Sequence, residues 1–235
     1  MSLEPQQSRE PVLITDFDGT MTRHECYRLL LDRLGDPRLT DCWTAYCDGR
    51  MTHFEALRII FAAARMSEEA MLALLRDMQL PPGFAGAVDA LQSAGWRIVV
   101  ASAGCEWYIE HLLRNAGVEV TVHANPGTFD PTAGLVMAPP THSPFYDPAT
   151  GISKTAVARA AVARHEVVAF AGDGRPDLEA ALLVPASRRF ARGWLAGELE
   201  RRGERFSPFE EWSAIASALL SAPVASSGDH QGGPR

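Results

Sequence analysis

The spacing of apolar positions changes twice along the chain. Pro11-Val-Leu-Ile-Thr15 is a short β-branched run that predicts a buried strand. From residue 22, for roughly sixty residues, the spacing becomes that of amphipathic helices. Tyr27, Leu30, Leu31 and Leu34 fall on one helical face, and Ala56, Ile59, Ile60 and Ala63 fall on a second. Ser67 followed by Glu68 and Glu69 has the composition of a helix start, with Met71, Leu72, Leu74 and Leu75 behind it. Pro81-Pro82-Gly83 ends this section.

Beyond that point strands and helices alternate. A helix over about 84–94 leads to the strand Arg97-Ile-Val-Val-Ala101. Ile109, Leu112, Leu113 and Ala116 share a helical face with Gly117 as the C-terminal cap, and a strand follows over Val118–His123. Residues 124–152, rich in Pro, Gly and Thr, read as loop with a hairpin near Gly134-Leu-Val-Met137. Ser153 caps a helix through Ala163, and the strand Val167-Val-Ala-Phe-Ala171 comes next. A helix from about Pro176, a short strand near Arg189 and a last helix carrying Trp212, Ile215 and Leu219 complete the chain. This alternation predicts an α/β fold, a doubly wound and mostly parallel sheet with a small helical unit inserted after the first strand. The core is expected over 11–21 and 83–221, and the inserted helices over 22–82. The polar lead 1–10 and the Ser-, Gly- and Pro-rich end 222–235 read as disordered.

Composition narrows the class. With 235 residues and 46% hydrophobic content, the chain can bury one large core, or a core plus a smaller module. Its formal net charge of −7 argues against nucleic-acid binding, which needs a basic face. It leaves room for an anionic small molecule, because one metal ion or lysine reverses the field locally. No secretory signal and no apolar run of membrane-spanning length is visible, so a cytoplasmic protein without membrane contact is expected, as a monomer or homodimer. The cysteines Cys26, Cys42, Cys47 and Cys105 form no CxxC pair. The first three, taken with His24, match no standard zinc spacing and read as small buried hydrophobes.

The candidate chemistry lies at strand ends, where open α/β sheets bind ligands. The first strand ends in Asp16-Phe-Asp18, the second in Ser102-Ala-Gly104, and the strand at 167–171 in Gly172-Asp-Gly-Arg-Pro-Asp177. In an extended segment residues i and i+2 point the same way, so Asp16 and Asp18 reach one place, with Asp173 and Asp177 beside them. Carboxylates converging in a cleft repel each other unless a hard cation joins them, and oxygen-only ligation favours Mg²⁺ over zinc. Ser102, expected where a helix begins, supplies a hydroxyl and nearby backbone amides for an anion. Lys154 begins another helix on the same rim. A lysine, a magnesium ion and helix-start amides around one point make a phosphate site. There, one carboxylate can attack phosphorus and a second can exchange a proton with the leaving alcohol and then with water.

DFDGT (16–20), the strand-end Ser102, Lys154 and GDGRPD (172–177), in that order, resemble the four motifs of the haloacid-dehalogenase-like phosphatases. The resemblance spans about residues 11–221 and implies a set of roles. Asp16 would be the nucleophile and Asp18 the general acid/base. Mg²⁺ would be held by the Asp16 side chain, the Asp18 carbonyl and Asp173, with Asp177 at or just beyond the ligand shell. Ser102 and the Ala103 amide would bind phosphate, and Lys154 would pair with phosphate and Asp16. Residues 22–82 look like the family's helical cap. Within the family the chain resembles the phosphoserine-phosphatase-like branch, where Glu25 matches the position that holds the substrate amino group. From Val12 through the FARGWL segment (190–195) and its trailing helix it looks most like the methionine-salvage phosphatases. Two departures stand out. Ile60 stands where phosphoserine phosphatases carry a carboxylate-binding arginine, which Arg58 replaces only with a shift. The Cys-rich run of many salvage members is here APPTHSPFYDPATGIS.

The implied activity is Mg²⁺-dependent hydrolysis of a small phosphate ester through an aspartyl phosphate. Two alternatives use the same residues: phosphoryl transfer between metabolites, as in a mutase, and a receiver-like protein phosphorylated on Asp16. Receivers lack a large helical insertion after the first strand. Haloacid dehalogenation does not need an acid two residues after the nucleophile, and Asp18 is present. His24, His53, His111 and His142 read as surface or polar-edge residues, while Trp43 and Phe54 are candidates for a pocket lining.

Overall fold

The computed structural model describes residues 8–221, so the disorder expected of residues 1–7 and 222–235 lies outside the described residues. Residues 8–10 do not follow that expectation. The Ser8 amide donates to the Arg164 carbonyl at 2.7 Å, and the Glu166 amide donates to the Ser8 carbonyl at 3.0 Å.

The elements run β1 (Val12–Thr15), α1 (Cys26–Leu34), α2 (Pro37–Cys47), α3 (His53–Ala62), α4 (Glu68–Asp77), α5 (Phe84–Ser93), β2 (Arg97–Cys105), α6 (Glu106–Asn115) and β3 (Thr121–Asn125). The hairpins β4 (Gly127–Asp130) with β5 (Gly134–Met137) and β6 (Tyr146–Asp147) with β7 (Gly151–Ile152) come next. The chain then forms α7 (Lys154–Arg164), β8 (Val168–Gly172), α8 (Leu178–Leu182), β9 (Arg189–Ala191), α9 (Gly193–Arg201), β10 (Ser207–Pro208) and α10 (Trp212–Ser221).

Six strands form one sheet in the order β10-β9-β8-β1-β2-β3, with every pairing parallel. The apolar runs are continuous because both faces are covered, and their residues sort by the two-residue period of a strand. Leu13, Ile98, Val100, Ala169 and Ala171 pack on one side with Val88, Ile109 and Trp212. Val12, Ile14, Val99, Val168 and Phe170 pack on the other with Val157, Ala180 and Leu195. β1 lies at the centre with Thr15 level with both Val100 and Ala171, so the ends of β1, β2 and β8 share one rim. The α/β fold expected from the alternation is therefore the one observed.

Helices α1–α4 follow β1, as the helical spacing of residues 22–82 predicts. Ser67 caps α4 by accepting from the Ala70 amide at 3.2 Å. Three details differ from the sequence reading. Ile59 faces solvent, 36% exposed, while Phe54, Leu57, Ile60 and Phe61 face inward. The apolar arc of α3 is wide, and contacts with α1, α2 and β5 set its rotation. Helices α2 and α9 escape periodicity because each buries only two residues, Leu39 and Ala45 in α2 and Leu195 and Leu199 in α9. β3 begins at Thr121 rather than Val118, and β8 is shifted by one residue.

Hairpin β4–β5 leans on α3. Gly134 has φ +82°, and a Cβ on it would stand 2.5 Å from the Ala62 carbonyl oxygen. Gly134→Ala is expected to cost about 2 kcal/mol in urea unfolding, from left-handed backbone and this collision. A loss under about 0.5 kcal/mol would contradict the close approach of hairpin to helix.

Candidate active site

β1 delivers Asp16 to the rim, where its amide extends the ladder by donating to the Ala171 carbonyl at 2.9 Å. The chain then turns. The Phe17 carbonyl accepts from the amides of Thr20, Met21 and Thr22, and the Phe17 ring is buried beneath. Asp16 and Asp18 therefore line the same cavity from different surroundings. Asp16 Oδ1 accepts from the Phe17 amide at 2.7 Å and from Lys154 Nζ at 2.8 Å. Asp18 Oδ1 accepts from the Cys26 amide at 2.9 Å, and its Oδ2 from the Tyr108 hydroxyl at 2.6 Å.

The turn after β8 brings the other acids. Asp177 folds back on its own loop, its Oδ2 accepting from the Asp173 amide at 3.1 Å and the Gly174 amide at 2.8 Å. Its Oδ1 accepts from Lys154 Nζ at 2.7 Å. Asp173 Oδ1 accepts from the Thr20 hydroxyl at 2.7 Å. Gly19 passes so close that a Cβ there would stand 2.5 Å from Asp173 Oδ2. Lys154, the first residue of α7, is 4% exposed rather than solvated, and it bridges Asp16 and Asp177.

The ligating oxygens of Asp16, Asp173 and Asp177 lie within 4.8 Å of one another. Among the described residues no other group of three His, Cys, Asp or Glu ligands is this close, so His24, Cys26, Cys42 and Cys47 make no such cluster. No described residue donates to Asp16 Oδ2, Asp173 Oδ2 or the Asp18 carbonyl. Both Asp177 oxygens are engaged, which makes it the buttress of Lys154 and of the 172–174 turn.

Electrostatics sharpen this picture. Burial pushes Asp16 well above the usual carboxylate range against the pull of Lys154. Burial, with Asp177 next in weight, pushes Asp173 up to about 7. Burial raises Asp18 to about 6 against the hydrogen bonds from Tyr108 and Cys26. Burial also works against the charge of Lys154, but Asp16 and Asp177 outweigh it and hold its proton more tightly than usual. Burial is the largest cause for all three acids, and a cation among them would offset that cost. The free oxygens and the all-oxygen donor set fit a Mg²⁺-sized cation.

Ser102 and Ala103 line the same cavity, but not at a helix start. β2 continues to Cys105, with irregular register after Ala101, and α6 begins at Glu106. The Ser102 hydroxyl accepts from the Gly104 amide at 3.0 Å instead of capping α6. Asn125, which the sequence reading did not single out, donates from Nδ2 to the Ala103 carbonyl at 2.8 Å and the Thr150 carbonyl at 3.1 Å. It ties this strand end to the segment leading to Lys154. Arg192, inside the FARGWL segment, was also missed. Its guanidinium donates to the carbonyls of Gly19, Thr22 and Glu210 and so clasps the turn after Asp18.

The cavity, about 520 Å³, is an open cleft lined by the rim on one side and by α1–α3 on the other. Glu25 lines it with an oxygen 2.7 Å from Arg28 Nε. Tyr27 and Trp43 stack at 3.7 Å, Trp43 and Tyr46 lie 5.0 Å apart, and Tyr46 and His53 lie 4.6 Å apart. Trp43 lines the cavity as expected, whereas Phe54 is buried away from it and Arg58 is exposed on α3. His53 is a wall residue, not a surface one, and burial with a contribution from Lys154 pushes its imidazole down to about 3.

Known proteins resemble the chain in sequence and in fold. The chain is 24% identical over 220 residues to the 2-hydroxy-3-keto-5-methylthiopentenyl-1-phosphate phosphatase of Bacillus velezensis, covering 90% of this chain and 91% of that one. It is 25% identical over 214 residues to a phosphatase of the same name from Exiguobacterium, covering 90% and 98%. A substrate-bound phosphoserine phosphatase superposes with a TM-score of 0.61 at 13% identity, covering 87% of this chain and 95% of that one. The phosphoserine phosphatase of T. onnurineus gives 0.62 at 15% identity, covering 94% and 100%. No helix among the described residues is long and apolar enough to cross a membrane. The family model of haloacid dehalogenase-like hydrolases matches residues 13–182, and with the acids, the lysine and the strand-end serine gathered on one rim, the chain belongs to that family.

Proposed function

We propose that the protein is a Mg²⁺-dependent phosphomonoester hydrolase that works through a phosphorylated Asp16. The observation that carries this reading is the asymmetry of two neighbouring acids. Asp16 is fixed by Lys154 and the Phe17 amide through Oδ1 alone, and no described residue donates to its Oδ2. Asp18 is held by Tyr108 and Cys26, away from Lys154. Asp16 Oδ2, Asp173 and the Asp18 carbonyl would hold the ion, whose chemistry is to offset carboxylate and phosphate charge.

Asp16 then forms a bond to phosphorus as the ester P–O bond breaks. The leaving oxygen takes the bond pair and receives a proton from Asp18, departing as an alcohol. Water attacks the phosphorus of the acyl phosphate, gives its proton to Asp18, and the Asp16–phosphorus bond breaks to release phosphate. Ser102, the Ala103 amide and Lys154 would hold the phosphoryl oxygens throughout.

The cavity wall supports a leaving group without charge. Glu25 is already engaged by Arg28, Arg58 is exposed and Ile60 is buried, so the acid-and-arginine pair expected for phosphoserine is not assembled here. The rings of Tyr27, Trp43, Tyr46 and His53 lie against one another in series along the wall. Such a surface suits an apolar body, a thioether included. This favours an ester of the type named for the Bacillus and Exiguobacterium relatives over phosphoserine.

Asp16→Asn should lower phosphate release by about 10³-fold or more, and turnover near wild type would rule out the covalent route. In a panel of phosphorylated metabolites, uncharged leaving groups should give higher kcat/KM than phosphoserine; the reverse order would refute the reading of the wall. Metal-free protein should lose stability as pH rises from about 4 through 7, because Asp18 and Asp173 bind protons more tightly folded than unfolded. Adding Mg²⁺ should raise Tm most at the upper end of that range, and Asp173→Asn should remove the increment. A Tm insensitive to Mg²⁺ in the wild-type protein would contradict the assigned site.

A further inference from the structure

Tyr108 stands outside every motif of the sequence reading, yet it touches the proposed acid. It lies on α6 and is fully buried, with its ring 5.9 Å from Phe61 in an edge-to-face contact and 6.4 Å from Phe17. A tyrosine in such a place would serve packing as well as a phenylalanine if only its ring mattered. Its hydroxyl, however, reaches the cavity floor and donates to Asp18 Oδ2 at 2.6 Å, a short bond of the charge-assisted kind. The backbone has been cleared for that bond. A Cβ on Gly104 would stand 1.9 Å from the Tyr108 hydroxyl oxygen and 2.9 Å from Asp18 Oδ2. The bare Cα of Gly104 thus makes room for the tyrosine and the acid, beyond any approach to phosphate.

Each carboxylate oxygen has two lone pairs. The Cys26 amide occupies one on Oδ1 and Tyr108 occupies one on Oδ2, which fixes the plane of the carboxyl group and the directions left for a proton. Phe61, one of the residues holding the Tyr108 ring, belongs to α3 and lines the cavity, so the orientation of the acid depends on helices α3 and α6 together.

We propose that Tyr108 is a positioning residue for Asp18, aiming its proton at the leaving oxygen of the substrate. The inference rests on the hydrolase reading above. It makes a prediction that depends on the leaving group, because a poor leaving group needs its proton early and a good one does not. Tyr108→Phe keeps the ring and deletes the hydrogen bond.

The test is kcat/KM with Mg²⁺ for a series of substituted phenyl phosphates, since this ratio reports the step in which the phenol leaves. Tyr108→Phe should lose about 3-fold on 4-nitrophenyl phosphate and about 30-fold on phenyl phosphate. In an Asp18→Asn background the same change should lose less than about 2-fold on either ester, because the aim no longer matters. A loss equal across the series, or undiminished without Asp18, would overturn the proposal in favour of a packing role. If Tyr108→Phe does not fold, Gly104→Ala displaces the hydroxyl and should show the same dependence on leaving group; a uniform loss there overturns the proposal too. Wild-type protein that releases no phosphate from any ester would overturn the hydrolase reading and this inference with it, which the uniform loss would not do.

Discussion

The site depends on one buried ammonium. Lys154 sits between Asp16 and Asp177, 2.8 and 2.7 Å from them, where almost no water reaches. Carboxylates gathered in a buried place repel each other and lose hydration, and only a charge of opposite sign with good geometry offsets that. The rest of the fold supplies that geometry. The register of β1 beside β8 brings Asp16 level with the turn that carries Asp173 and Asp177. The N-terminus of α7, capped by Ser153, delivers the lysine. One positive charge against three acids leaves the cluster under-neutralised, and that deficit is the physical argument for a divalent ion.

The second constraint is that two acids two residues apart must behave differently. Thr15 and Phe17 separate their surroundings. Thr15 takes a hydrogen bond from the Trp212 indole at 3.1 Å and gives one to the Asp16 carbonyl at 2.8 Å, locking the strand end. Phe17 is buried and its carbonyl gathers three amides, which turns Asp18 toward α1 and α6. Asp16 is thus tied to the sheet and Asp18 to the helices. Groups from the helical insertion, the Cys26 amide and the Phe61 ring, reach Asp18 and Tyr108, so α1 and α3 help to fix the side chains at the rim.

Asp16, Asp18, Asp173, Asp177, Ser102 and Lys154 were legible because each follows an apolar run or opens a helix, so local pattern places it on the rim. Glu25 was legible only by resemblance, and its engagement with Arg28 was not. Tyr108, Asn125 and Arg192 act through partners 90, 22 and 173 residues away, and nothing in local spacing announces such pairs. Ser102 was placed correctly at a strand end but given the wrong neighbour, because a strand with irregular register and a helix start look alike in a run of small residues. In α3 the apolar arc is broad enough that the exposed Ile59 and the buried Leu57 exchange places unless tertiary contacts are known.

The central claim is that phosphorus passes through Asp16. It is tested most directly by quenching the protein with a phosphate ester and Mg²⁺ during turnover, reducing with borohydride, and sequencing peptides by mass spectrometry. An acyl phosphate is reduced to the alcohol, so homoserine is expected at position 16 and at no other acid, with none formed when the ester is omitted. Phosphate release without any modification of Asp16, or with modification at Asp18 or Asp173 instead, would contradict it.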